Sequence, residues 1–128
     1  MARLRGPEGC PWDRDQTPTS LKPCLIEEAY EVLEAIEAGD AGALREELGD
    51  LLLQVVFLAQ IAAERGDFTM ADLLHTLNDK LIRRHPHVFG DASVTTPGDA
   101  LAQWEGVKQR EAEARGRPRS VIDGVPRA

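Results

Sequence analysis

The sequence predicts an all-α fold, and three observations lead to that class. Apolar residues recur at three- and four-residue intervals along several segments, with charged residues between them, as on helices that bury one face. No alternating apolar–polar run of the strand type occurs anywhere. Gly39, Gly66 and the step His85-Pro86 fall where those periodic segments end, as helix stops do. The expected architecture is helical hairpins that assemble into a four-helix-bundle core across a homodimer.

Residues 1–18 hold Gly6, Pro7, Gly9, Pro11 and Pro18 and read as an irregular lead-in. Thr19 or Ser20 is the expected cap of the first helix, with Pro23 in its opening turn and its end near Ala38. Leu25, Ala29, Val32, Leu33 and Ile36 form its apolar stripe, opposite Glu27, Glu28, Glu31 and Glu34. A turn at Gly39-Asp40-Ala41-Gly42 then reverses the chain. The second helix runs from about Ala41 to Arg65. From 51 to 63 it is apolar nearly all round, broken only by Gln54 and Gln60. Such a helix needs cover on several sides, so a partner subunit is expected.

Thr69 caps a third helix, Met70 to about Arg84, which ends at His85-Pro86. Residues 88–97 read as a loop. A polar fourth helix, about Asp99 to Ala114, carries Leu101, Trp104 and Val107 as its apolar positions. Residues 116–128 show no helical period and read as a tail or linker, so the domain proper is expected over 19–115.

Chemistry concentrates in two acidic clusters, Glu27-Glu28-x-x-Glu31 and Glu47-x-x-Asp50. Residues three and four apart share a helix face, so each cluster points its carboxylates one way. At about 1.5 Å rise per residue, both clusters lie about 12 Å from the reversing turn and come level in an antiparallel hairpin. Carboxylates brought together repel unless cations sit among them, and hard divalent ions such as Mg²⁺ or Mn²⁺ favour such oxygen ligands. Taken alone, the first cluster reads more simply as a solvated acidic face. The second shares its flank with Leu51, Gln54 and Leu58 on a helix that looks buried, and acids are rarely buried without partners.

Lys80 and Arg84 stand four apart, as do Trp104 and Lys108. Spacing alone reads these pairs equally well as surface charge or as phosphate clamps beside a base-stacking ring. His85 and His87 fit helix capping or the edge of a site better than metal ligation, because Arg83 and Arg84 repel a cation there. The net charge of −7 argues against binding a nucleic-acid polymer, while metals can reverse the local sign for a nucleotide. Cys10 and Cys24 are too few and too far apart for a CxxC motif, and reduced thiols in a cytoplasmic protein fit better than one disulfide. No apolar run reaches the roughly 20 residues of a membrane span.

Taken together, GCPWDRDQT at 9–17, EEAYE at 27–31, EELGDLLLQVVF at 46–57 and DKLIRRHPHVFGD at 79–91 resemble the MazG family. The likeness extends through the Trp104 and Lys108 pair to SVIDGVP at 120–126 and is strongest to the N-terminal domain of two-domain members. It implies an all-α nucleoside triphosphate pyrophosphohydrolase that needs Mg²⁺, releases nucleoside monophosphate and pyrophosphate, and cleans the nucleotide pool as a homodimer. The family's metal pattern falls on Glu28, Glu31, Glu47 and Asp50. Glu27 or Glu31 is then left to orient the attacking water, and Lys80, Arg84, Trp104 and Lys108 take the substrate-contacting positions. A nucleotide-binding module with little turnover is the alternative expectation.

Overall fold

The computed structural model describes residues 1–116, and SVIDGVP with most of the expected tail lies outside them. Among the described residues six helices follow in order: α1 Pro11–Asp15, α2 Pro18–Ala38, α3 Ala41–Glu64, α4 Met70–Arg84, α5 Pro86–Phe89 and α6 Pro97–Ala114. Among the described residues there is no strand. The chain divides into two compact units, one of Met1–Leu73 and one beginning at Leu74.

In the first unit α2 and α3 form the hairpin. Gly39 ends α2 in the left-handed region at φ 66°, which an L side chain adopts only at a cost. Asp40 follows at once as the cap of α3, its side chain accepting from the amides of Gly42 and Ala43. The reversal thus occupies two residues rather than the expected four, because Ala41 and Gly42 already belong to α3. Leu21 of α2 packs with Phe57 and Ile61 of α3 in the core. Leu21 is 1% exposed, and burying a leucine contributes about 2 kcal/mol.

The apolar stripe of α2 differs from expectation. Leu21, Val32 and Ala35 are buried, whereas Leu33 and Ile36 are more than half exposed. A helix this apolar offers more than one stripe, and the neighbour α3 selects among them. The start also differs: Thr17, not Thr19 or Ser20, caps α2, exchanging bonds with Ser20, so Pro23 lies inside the helix.

The lead-in holds one helical turn, α1, which its prolines and glycines do not announce. Arg5 ties it down. Its guanidinium donates to the carbonyls of Asp13 and Gln16, pairs with Glu64 at 2.8 Å and lies 5.6 Å from the centre of the Phe57 ring. Trp12 meets the same ring edge-on. Cys10 and Cys24 are free thiols.

Helix α4 begins with a reciprocal cap, Thr69 and Asp72 each accepting from the other's amide. The segment expected as a loop from 88 begins instead with α5, one turn opened by Pro86. Thr96 caps α6, whose first residue, Pro97, lies two residues before the expected start. Of its three apolar positions Val107 is buried, Trp104 is half-buried and Leu101 is exposed.

Candidate functional site

The hairpin register decides which acids meet. Seven residues after Leu21 along α2 stands Glu28, and seven before Phe57 along α3 stands Asp50. The antiparallel pairing that packs Leu21 on Phe57 therefore brings Glu28 to Asp50. Glu28, Glu47 and Asp50 each offer one carboxylate oxygen, and these atoms lie within 4.8 Å of one another. Among the described residues no other group of three metal-binding side chains closes in this way. Glu28 and Glu47 are half-buried and Asp50 is exposed.

This crowding has an electrostatic signature. The Glu28 carboxyl is raised above its ordinary value by burial, then by Asp50, Glu27 and Glu31. Glu47 is raised by burial, then by Glu31, Asp50, Glu28 and Glu46. Glu31 and Glu27 thus lie close enough to repel the cluster, although neither belongs to the three oxygens that converge. Burial and like charge both disfavour the ionised carboxylate, and a bound cation reverses the second effect. An all-oxygen donor set of this kind suits a hard divalent ion. The residues present fit such an ion.

In the second unit Arg84 is half-buried and donates through Nη2 to Glu111 Oε2 at 2.8 Å. Lys80 is half-buried on the same helix. Trp104, half-buried on α6, meets the His85 ring edge-on with centroids 5.0 Å apart. Lys108 pairs loosely with Glu105, one turn away, at 3.7 Å. His85 caps the end of α4: its Nδ1 lies 2.6 Å from the Leu81 carbonyl, so Nδ1 carries the proton. His87 lies beside it, with ring centroids 5.5 Å apart.

For two residues the sequence did not announce the setting they occupy. Glu111 bonds both Arg83 and Arg84, and its position seven after Trp104, two turns along one face, was the available signal. Gln54 is buried at 7% exposure, with Oε1 lacking a partner, one turn after Asp50. An isolated glutamine in an apolar run gives no such warning.

Residues 16–89 match the model of the MazG nucleotide pyrophosphohydrolase domain. The chain is 61% identical over 111 residues to the nucleoside triphosphate pyrophosphohydrolase/pyrophosphatase MazG of Thermotoga maritima, a match covering 87% of this chain and 42% of that protein. It is 50% identical over 129 residues to the nucleoside triphosphate pyrophosphohydrolase of Escherichia coli K12, covering all of this chain and 49% of the relative. The chain therefore spans about half the length of these curated relatives. The crystal structure of a mazG-related protein from Thermotoga maritima superimposes with a TM-score of 0.67 at 26% identity, covering 84% of this chain and 98% of that one. With the family model matching more than half of its residues, the chain belongs to the MazG nucleotide pyrophosphohydrolase domain family.

Proposed function

We propose that this chain hydrolyses nucleoside triphosphates to nucleoside monophosphate and pyrophosphate in a Mg²⁺-dependent reaction, clearing unwanted nucleotides from the cytoplasmic pool. The observation that carries the proposal is the convergence of Glu28, Glu47 and Asp50 within 4.8 Å in a chain of this family. The two relatives named above as pyrophosphohydrolases support the reaction. Glu28, Glu31, Glu47 and Asp50 would hold Mg²⁺, with Mn²⁺ as a substitute. When bound, the ion neutralises phosphate charge and lowers the pKa of a coordinated water. Glu27 or Glu31, both outside the three converging oxygens, orients the attacking water. Lys80, Arg84 and Lys108 offset charge on the phosphates and on departing pyrophosphate, and Trp104 stacks on the base.

The working form is a homodimer or a higher homo-oligomer. Leu52 is 60% exposed on α3, and Tyr30, Leu33 and Ile36 are exposed on α2, an apolar surface that suits a second copy. No helix among the described residues is long and apolar enough to cross a membrane, and the acidic charge disfavours a nucleic-acid polymer as partner.

The direct test incubates the protein with each nucleoside triphosphate and Mg²⁺ and measures pyrophosphate and monophosphate together. Equal amounts of the two are expected. Orthophosphate as the main product, or no product from any triphosphate, would refute the proposal.

A further inference from the structure

No motif marks Glu111, yet it is tied to two arginines at once. Its Oε1 accepts from Arg83 Nε and its Oε2 from Arg84 Nη2, the latter at 2.8 Å. Only 12% of the Glu111 side chain and 18% of the Arg84 side chain are exposed. Exposed ion pairs order little, whereas this one holds a largely desolvated guanidinium. Here the carboxylate gives one oxygen to each arginine and closes a two-bond fork on neither. Arg84 shows the consequence: its Nε is buried and has no acceptor. A buried donor left without a partner is costly, and an anionic oxygen is the partner that matches it best. Two guanidiniums against one carboxylate also leave net positive charge at that point.

We infer that Glu111 is a positioning residue, fixing the Arg84 guanidinium so that it donates to a polyphosphate oxygen. The inference rests on the reading of Arg84 as a phosphate contact given above. Without Glu111, Arg84 regains its rotamer freedom, and binding must order it again. Charge alone predicts the opposite sign, since removing a carboxylate beside two arginines attracts anions more strongly. The direction of the effect therefore separates positioning from mere charge.

The test titrates the full chain with inorganic tripolyphosphate by calorimetry in the presence of EDTA, which isolates anion binding from metal and from turnover. Glu111→Gln should weaken binding about tenfold, the lower end of what losing a supporting residue costs. In an Arg84→Ala background the same substitution should have almost no further effect, because its route is gone. Thermal melting reports whether each variant folds. If Glu111→Gln does not fold, Glu111→Asp, which keeps the charge but retracts it by one methylene, replaces it with the same expected direction. Equal or tighter binding by the Glu111 variant, an undiminished loss in the Arg84→Ala background, or no binding by the unaltered protein would each overturn the inference. Hydrolysis of nucleoside triphosphates with Mg²⁺ is measured in parallel. Absence of turnover there refutes the proposed reaction, while the titrations still decide the role of Glu111.

Discussion

Glu28 and Glu47 are pushed up by burial and by their acidic neighbours, while Glu111 is pulled down to about 2 by its bonds from Arg83 and Arg84. The two shifts make opposite demands on pH. A carboxyl whose folded pKa lies above its ordinary 4.5 destabilises the metal-free protein as pH rises through 4.5 and beyond. Glu47→Gln or Asp50→Asn should accordingly raise the melting temperature of the metal-free protein above pH 5. Either should also cut Mg²⁺-dependent turnover by about a hundredfold or more, with the helical circular dichroism unchanged. Near-normal turnover in both would remove these acids from the proposed metal site. Glu111 runs the other way. Its folded value lies below 4.5, so its contribution is fully present above 4.5 and is lost as pH falls towards 2. Urea denaturation across that window should show the unaltered protein losing stability faster than Glu111→Gln. Parallel curves would mean that the ion pair contributes nothing to folding.

At the scale of elements, the hairpin depends on two consecutive residues. Asp40 satisfies two of the amides that α3 leaves open at its start, so Asp40→Ala should cost about 1 kcal/mol, and Asp40→Asn should restore most of it. Gly39 sits at φ 66° with open space where a Cβ would stand, so Gly39→Ala tests backbone conformation alone and should also cost about 1 kcal/mol. Chemical denaturation measures both. A neutral result at both positions would mean that packing of Leu21 on Phe57 and Ile61 sets the register without help from the turn. Helix α1 and the Arg5 contacts are different in kind. They follow from one guanidinium finding two carbonyls, a carboxylate and a ring, none of which is near it in sequence.

At the scale of the whole molecule, α3 has more apolar surface than one hairpin covers. Eleven of the thirteen residues from 51 to 63 are apolar, and Leu52 and Leu53 remain exposed beside the buried Phe57 and Ile61. A second copy laid against this side would complete a four-helix core, and such an interface is obligate. Val55→Asp or Val56→Asp should then abolish association and much of the folding together, as light scattering and circular dichroism would record. A well-folded monomer at micromolar concentration would count decisively against this assembly.

The all-α class, the spans of the long helices and the spacing of the acids were legible in the sequence, because each depends on neighbours three or four residues apart and on local caps. The periodicity around Thr69, Gly66 and the His85-Pro86 step placed α4 and the end of α3 with little error. What the sequence left open depends on contacts between distant segments. Which face of α2 is buried was decided by α3, which chose Leu21, Val32 and Ala35 over Leu33 and Ile36. Which acids converge was decided by the hairpin register, which brought Glu28 to Glu47 and Asp50 and left Glu31 and Glu27 beside them. The sharing of Glu111 between two arginines likewise needed α4 and α6 to be placed in space. Periodicity assigns a side chain to a face of its own helix, and only the packing of one helix on another decides what that face meets.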